Sequence, residues 1–334
     1  MDMQQLSTPW PEYRTLLAVD KTKILNIGRR VRLAWAVERS KKFRSLVDEA
    51  VSRCPWVRPA MDRHPILFRP LMSMFLDPRL SPRQLFSYYA HDLEFTSTHI
   101  NRAFPNFFPH NLSAPLWIDR AHGYSVDLSM NLAHPQEGLW QLSLKSSNQT
   151  RLFSMCFSIL PGPMIFVGSV QGGRSDDSVN LADLIRSATK DFEGMRPHFL
   201  LFDVVRTLAV NWNIESLTGI ANRNQLKAHS HSKNAKAVRF SYDTFFHELG
   251  ATRMHDGNWD VPLTLQAREI ADAPSRKIAM YRRRITLMTG LREQVSAFLT
   301  GFGSDPMVQR PAYRLLQKEL PGSQRRFDTG VQQL

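Results

Sequence analysis

The stretch Gly194-Met195-Arg196-Pro197 has residue types and a spacing that suit the binding of an anion. Gly194 and Pro197 together indicate a turn, and Pro197 fits the first position of a helix, where a missing N–H costs nothing. Helix starts expose unpaired N–H groups and the positive end of the helix dipole, and Arg196 adds a positive charge. A phosphate is therefore a natural ligand for this turn, although the start of an ordinary core helix fits the same pattern.

Other motifs with recognised chemistry are missing or incomplete in the sequence. His229 and His231 could ligate a metal, but no cysteine lies near them and the chain has no His-Glu-x-x-His motif. The sequence also lacks a Gly-x-Ser-x-Gly elbow, a Walker loop and a dinucleotide-binding glycine motif. We therefore expect no bound metal, and serine hydrolase, P-loop and Rossmann functions have no support.

Composition limits the class of protein and its partners. The 334 residues are 43% hydrophobic, which allows a sizeable core, and the formal net charge is +13. Cys54 and Cys156 are the only cysteines and do not form a CxxC pair, so a disulfide framework is excluded and a reducing compartment is expected. The first residues lack the features of a secretory signal. We expect a cytoplasmic protein, either free or peripheral at the inner membrane.

The elements that position these residues begin with helices. Residues 12–53 contain few helix breakers. The stretch Ser81-Pro82-Arg83-Gln84 predicts a helix start, with Ser81 as N-cap and Gln84 completing a capping box. We expect this helix to continue to about residue 104.

The middle of the chain has the pattern of a sheet. The segments GYSVDLSMNLA, GLWQLSLKS, RLFSMCFSIL and MIFVGSV predict a four-stranded, largely antiparallel meander. Residues 152–173 carry no charge and imitate a membrane helix, but Pro161-Gly162-Pro163 interrupts them. We therefore predict a hairpin or two adjacent buried strands, and no transmembrane segment.

The remaining elements complete an α+β pattern. Helices are predicted near 179–192 and from Pro197, then a strand SLTGIAN, another strand around AVRFSY, a short helix DTFFHEL and a long helix within SRKIAMYRRRITLMTGLREQVSAFL. We divide the chain into a helical region at 1–110, an α+β core at 111–265 and C-terminal helices at 266–334 that form one compact unit with the core.

The order of elements in the core resembles that of the GNAT acyl-CoA transferases. The strand MIFVGSV leads into Gln171-Gly172-Gly173, the Gly-Met-Arg-Pro helix start follows, and the next strand ends in Asn222. In that family a pyrophosphate lies on a helix start and the next strand ends near an asparagine. The downstream segment NAKAVRFSYDTFFHELG resembles the last part of the GNAT fold. The helix start here has one glycine where the family has two.

A closer resemblance covers residues 63 to 299. Its segments, in order, include HPILFRPL, LSPRQLFSYYAHDLEF, EGLWQLSL, VGSVQGG, ATKDFEGMRPHFLL, GIANRNQ, FSYDTFFHELGA and PSRKIAMYRRR. These segments resemble the VirK/YbjX family of bacterial proteins. That family has been linked to virulence, to envelope integrity and to survival of cationic peptides, and its name implies no particular reaction.

The GNAT resemblance implies an acyltransferase. Its donor would be acyl-CoA or the phosphopantetheine of an acyl carrier protein, and its acceptor an amine or hydroxyl of an envelope component or peptide. Gly194, Met195 and Arg196 would anchor phosphate, while Gln171 and Gly172 would line the pantetheine side.

The resemblance also suggests the residues that transfer protons. Tyr242, near the place where many GNAT enzymes carry an acid, would protonate the leaving thiolate, and Glu137 or His91 would take the proton from the acceptor. Asn222 would complete the cofactor-binding set. Each residue also has an ordinary structural interpretation: a turn residue for Glu137, a core or surface histidine for His91 and a packed aromatic for Tyr242.

Clusters of positive charge leave a second function open. Between residues 21 and 44 there are nine basic residues and one acidic residue, and between 276 and 284 there are five basic residues and no acidic one. Such faces suit an acidic acyl carrier protein or an anionic membrane surface. The alternative is therefore a non-enzymatic, envelope-associated factor that binds anionic lipid or lipopolysaccharide precursors. Nucleic acid is disfavoured, because no nucleic-acid-binding motif accompanies the charge.

Overall fold

The computed structural model describes residues 38, 41–101, 113–173, 180–228, 240–264 and 277–303. In these residues eight α-helices accompany one open sheet of eight strands, most of them antiparallel. The predicted α+β class is confirmed.

The helices fall before, within and after the sheet. They are α1 Arg44–Arg53, α2 Val57–Arg63, α3 Arg69–Met72, α4 Pro82–Thr96, α5 Leu181–Asp191, α6 Pro197–Asn211, α7 Tyr242–Glu248 and α8 Ile278–Gly303. Helices α4 and α6 pack against the fourth strand, and α8 packs against α6.

The strands form a single sheet with the order β1-β2-β3-β4-β5-β6-β8-β7. They are β1 Ala114–Ile118, β2 Ser125–Met130, β3 Trp140–Lys145, β4 Arg151–Leu160, β5 Met164–Gly172, β6 Ser216–Gly219, β7 Thr252–Arg253 and β8 Trp259–Val261. The meander has five strands, because β1 precedes the four that the sequence predicted. The expected strand around AVRFSY lies in part outside the described residues, and Tyr242 begins helix α7 because Ser241 caps a helix there.

The predicted start of helix α4 is confirmed in detail. The amide of Gln84 donates to Ser81 Oγ at 3.3 Å, and the amide of Ser81 donates to Gln84 Oε1 at 3.0 Å, which completes the capping box of α4. Helix α4 ends at Thr96, before the expected boundary, and a π turn follows at Ser97–Asn101.

The uncharged stretch forms the β4–β5 hairpin around Pro161-Gly162-Pro163, where Gly162 has φ of 79°. Its strands are the most extensively paired in the sheet, from Phe153 opposite Gly172 to Leu160 opposite Met164. Within the described ranges, none of the helices combines the length and the apolar character that crossing a bilayer requires.

Strands β5 and β6 form a parallel pair that separates after four residues. Pairing runs from Met164 opposite Ser216 to Val167 opposite Gly219, and the amide of Ile220 then donates to Val167 O at 3.0 Å. We call the place where the strands separate the fork.

A β-bulge coincides with the fork. Phe157 pairs with Val167 and Cys156 pairs with Ser169, which leaves Gly168 as an extra residue in β5. Bulges bend a strand and increase its local twist. Strand β5 therefore continues to Gly172 with an edge that β6 does not pair.

Candidate functional site

Glu137 lies at the fork in a short 3₁₀ turn, Pro135–Glu137, and its side chain is almost wholly buried, with 3% of the residue exposed. Two contacts hold this turn in place. The amide of Leu76 donates to Gln136 O at 2.7 Å, and the backbone of Glu137 lies so close to Gly168 that a Cβ there would be 2.2 Å from Glu137 O. The bulge glycine and the turn are thus built around each other.

Three side chains converge on the Glu137 carboxylate. Gln171 Nε2 donates to Oε2, Gln225 Nε2 donates to Oε1 at 3.3 Å, and Lys227 Nζ forms an ion pair with Oε1 at 3.1 Å. We call Glu137, Gln171, Gln225 and Lys227 the Glu137 cluster. The carboxylate is buried but paired, as a buried charge requires.

Tyr242 also lies at the fork, where its hydroxyl bonds the backbone of Val170. Its hydroxyl donates to Val170 O at 3.4 Å and accepts from the Val170 amide at 3.3 Å. Only 2% of the residue is exposed. Burial, followed by the negative charge of Glu137, raises the pKa of the Tyr242 phenol. The phenol therefore keeps its proton at neutral pH.

Asn222 supports the helix that carries Tyr242. Asn222 Oδ1 accepts from the Tyr242 amide at 2.8 Å, and the Asn222 amide donates to Asp243 Oδ1 at 3.3 Å. Trp259 Nε1 donates to the same Asp243 oxygen at 2.8 Å. The side chain and the backbone amide of Asn222 therefore both bond the first residues of α7.

Cys156 lies on β4 beside the Glu137 cluster. Burial, followed by the charge of Glu137, raises the pKa of the Cys156 thiol to about 12, and a hydrogen bond with Ser169 opposes part of that rise. A thiol with so high a pKa is a poor nucleophile at neutral pH. Cys156 is best regarded as a small buried wall residue.

A cavity of about 210 Å³ opens next to the cluster. Its walls come from strands β3, β4 and β5 and from the loop after β2, and they include Gln141, Arg151, Ser154, Cys156, Gln171 and Gly172. We call it the polar cavity. Gln171 belongs both to its wall and to the Glu137 cluster. A ligand in the cavity would therefore lie one side chain away from the carboxylate.

The Gly-Met-Arg-Pro turn differs from the predicted phosphate cradle. The Gly194 amide donates to Thr189 O at 2.8 Å, and the Met195 amide donates to Phe192 O at 3.0 Å. Gly194 has φ of 77° and follows the last turn of α5, so it acts as a C-terminal cap. These two amides are already paired and are not free to bind phosphate in this conformation, which corrects the expected role of Gly194 and Met195.

Arg196 and the start of α6 lie next to the end of β5. Arg196 is the N-cap of α6 and makes no side-chain capping bond; its half-exposed side chain pairs with Glu248. His198, in the first turn of α6, lies 5.3 Å from the ring of Phe153, which pairs with Gly172. The start of α6 therefore lies near the end of β5.

His91 lies on helix α4 and belongs neither to the Glu137 cluster nor to the polar cavity, as far as the described residues go. It lies half-buried on α4, where burial lowers its pKa and the charge of Glu94 opposes that shift. Of the residues that the sequence proposed, the structure brings Glu137, Gln171 and Tyr242 together around the fork, with Gly172 at its open edge.

Two members of the Glu137 cluster were missed from the sequence. Gln225 and Lys227 follow β6, just after a 3₁₀ turn at Asn222–Asn224. Gln225 ends GIANRNQ, one of the segments that carried the family resemblance. An apolar strand followed by several amide side chains is the signal that could have identified it.

Many residues of the two basic clusters either lie outside the described residues or make contacts within the fold. Most of the cluster at 21–44 is outside them. In the second cluster, Arg283 Nε donates to Glu193 Oε1 at 2.7 Å and Arg284 donates to Glu193 O at 2.6 Å. These contacts hold α8 against the turn between α5 and α6.

Comparison with known proteins establishes the family. The family described as "Protein of unknown function (DUF535)" matches residues 25–297. The chain belongs to the DUF535 family. An uncharacterized protein of Haemophilus influenzae is similar at 31% identity over 163 residues, 49% of this chain and 54% of that protein.

Two named relatives place this DUF535 chain among proteins of the kind that its sequence resembles. The uncharacterized protein YbjX of Escherichia coli is 22% identical over 182 residues, 53% of this chain and 54% of YbjX. The membrane protein LapB of Mannheimia haemolytica is 24% identical over 190 residues, 54% of this chain and 77% of LapB. The matches thus span about half the length of the Haemophilus protein and of YbjX. The predicted YbjX-type family is confirmed, and no solved structure matches the chain.

Proposed function

We propose that this DUF535 protein transfers an acyl group from acyl-CoA or an acyl carrier protein to a hydroxyl or amine. The observation that carries the proposal is the buried Glu137 carboxylate, paired with Lys227 and two glutamines, at a fork that also holds the Tyr242 phenol. A carboxylate and a protonated phenol that lie near each other, so that the charge of Glu137 acts on Tyr242, are a suitable base and acid pair.

The order of elements supports the choice of reaction. Strand β5 is followed by helices, a parallel strand β6, the short helix α7 and the final pair β7–β8. That is the order for which the sequence resembles the GNAT core. Fold order by itself does not fix a function, so the proposal rests on the residues at the fork.

The donor would lie at the end of β5 beyond Val170, whose backbone groups are already bonded to Tyr242. The amide of Gly173 donates inward to Leu152 O at 2.8 Å, and neighbouring residues of a strand alternate in direction, so the amide of Gly172 faces the open edge. The pantetheine would pair with this edge. The phosphates would lie at the start of α6, where Arg196 and the His198 amide would replace the cradle that Gly194 and Met195 do not provide. The Phe199 amide donates to Arg196 O at 2.9 Å.

The transfer step would use the two proton carriers in turn. The Glu137 carboxylate accepts the proton of the acceptor O–H or N–H, and the freed lone pair forms a bond to the thioester carbonyl carbon. The C–S bond breaks, and the thiolate takes the proton of Tyr242. The phenolate then recovers a proton from the Glu137 carboxylic acid, which restores both groups.

The first test is binding of the donor. Coenzyme A, acetyl-CoA and a long-chain acyl-CoA are added separately to the full chain, and the melting temperature is measured. A ligand that binds the native state at 100 times its Kd stabilises it by about 2.7 kcal/mol. Arg196→Ala should remove the shift, whereas Arg186→Ala, an exposed arginine paired with Asp183 on α5, should keep it. If neither these compounds nor a loaded acyl carrier protein shifts melting, the transferase proposal is wrong.

A second candidate is the non-enzymatic factor that binds anionic lipid. The net charge of +13 and the description of the relative LapB as a membrane protein favour it. Phosphatidylglycerol vesicles should then bind the chain with an affinity that falls steeply with salt, while phosphatidylcholine vesicles should not bind. Vesicle binding together with no response to acyl donors would favour this candidate.

A further inference from the structure

The polar cavity is suited to a hydrophilic ligand. The described side chains in its wall include two glutamines, a serine and an arginine, and none of them is a large apolar residue. Its volume of about 210 Å³ is far larger than the space that one water needs. Hydroxyl groups of a ligand would find amide and hydroxyl partners there.

Arg151 gives the cavity its charge. It lies at the exposed start of β4, and no carboxylate is among the described residues of the cavity wall. Among the described residues Arg151 also forms no ion pair. A guanidinium pairs well with phosphate, because its planar fork of N–H groups matches two oxygens. The cavity therefore favours an anion at the Arg151 end.

The opposite end of the cavity leads to the proposed base. Gln171 lines the cavity and donates to Glu137, so a hydroxyl that displaced this hydrogen bond would reach the carboxylate. Gln141 already donates to Ser143 Oγ at 2.8 Å, which leaves its carbonyl oxygen as an acceptor for a ligand hydroxyl.

We infer that the polar cavity binds a phosphorylated sugar, with its phosphate at Arg151 and a hydroxyl directed to Gln171 and Glu137. This inference rests on the proposed function in one respect only: the sugar hydroxyl would be the acyl acceptor. The binding itself needs no donor. The substrate class is therefore a compact polyol that carries one phosphate.

The test measures binding without any acyl donor. Glucose 6-phosphate, glucose and inorganic phosphate are titrated separately into the full chain by calorimetry. Glucose 6-phosphate should bind. Glucose and inorganic phosphate should each bind at least about tenfold more weakly, because glucose lacks the phosphate group and inorganic phosphate lacks the sugar hydroxyls. Equal affinity for phosphate and glucose 6-phosphate, or no binding of glucose 6-phosphate, would overturn the inference.

Matched variants locate the binding. Ala133 is an exposed residue of the cavity wall, so Ala133→Trp should block the cavity without disturbing the core, and Arg151→Gln should remove the anion site. Each should weaken binding about tenfold or more. Ala182→Trp and Arg186→Gln, both at exposed positions of α5, should bind as the wild type does. Unchanged binding in Ala133→Trp would show that the ligand lies elsewhere. Sugar phosphate binding that follows this pattern in a chain without transferase activity would separate the two proposals.

Discussion

The hydroxyl of Tyr242 bonds both backbone groups of Val170, at 3.3 Å to the amide and 3.4 Å to the carbonyl. One side chain thus replaces the strand that β5 loses at the fork. The same phenol is the proposed acid, so its structural and chemical roles must be separated by experiment.

Tyr242→Phe removes the hydroxyl that bonds the amide and the carbonyl of Val170. We expect a loss of stability of about 1 kcal/mol, because two backbone groups lose their partner. Hydrogen exchange at the Val170 amide should become faster, and transfer should fall. Tyr88→Phe, on half-buried α4 surface, is the control and should change neither. Unchanged exchange at Val170 would mean that this hydrogen bond does not persist in solution.

Glu137→Gln keeps the shape of the side chain and removes the proposed base. Transfer should fall by about 10²- to 10⁴-fold, the usual contribution of a general base. The free energy of unfolding should also fall by about 1–3 kcal/mol, because one buried oxygen that accepts from Gln171 or Gln225 is replaced by an N–H donor. Glu215→Gln changes an exposed carboxylate before β6 and serves as control. A fully active Glu137→Gln protein would exclude Glu137 as the base.

Gly168→Ala tests the bulge. Its Cβ would lie 2.2 Å from Glu137 O, a backbone atom, so the Glu137 turn must move. We expect a loss of about 1–3 kcal/mol in urea unfolding, together with reduced activity. Gly290→Ala in helix α8 meets open space and should instead add up to about 1 kcal/mol. Equal stability of Gly168→Ala and wild type would contradict the close packing seen here.

Asp92 predicts a pH dependence of stability. It is fully buried on α4 with its Oδ1 at 3.0 Å from Trp140 Nε1, and burial raises its pKa from 3.8 to about 7, against the hydrogen bond from Trp140. The unfolded chain loses this proton near pH 4, while the native state holds it to about pH 7. The native state therefore loses stability as the pH rises through that window.

Asp92→Asn should flatten this trend, since the amide keeps an acceptor for Trp140 and does not titrate. The free energy of unfolding, measured from pH 4 to 8, should fall with pH in the wild type and change less in the variant. The exposed Asp62→Asn, which loses a surface pair with Arg58, should follow the wild type. Parallel curves for wild type and Asp92→Asn would exclude Asp92 as the source.

The sequence predicts those parts of the fold that depend on local patterns. The capping box of α4 needs only Ser81 and Gln84, and the β4–β5 hairpin needs only two apolar runs around Pro161 and Pro163. The short strands β7 and β8 were missed, because two or three residues carry too little periodicity. Strand β1 has five residues and was missed as well, because Pro115 is atypical of a strand interior.

The candidate site was predicted in part for the same reason. Glu137, Gln171 and Tyr242 were proposed singly, yet their meeting depends on Gly168, whose effect on the register is not visible in the sequence. At Gly194 the sequence allowed two meanings: a glycine after a helix ends that helix, and a glycine before a helix can bind phosphate. The Gly194 amide donates to Thr189 O and the Met195 amide donates to Phe192 O, so here the glycine ends helix α5.

The single surplus residue in β5 also bears on how relatives with this fold can diverge. An opening made by the path of the main chain does not depend on which side chains surround it. Substitutions at Arg151, Gln141 or Ser154, which line the polar cavity, would therefore change the small molecule that it binds. The positions of Glu137 and Tyr242 would stay the same. Replacement of Gly168 would disturb both the opening and the positions of the reacting groups Glu137 and Tyr242.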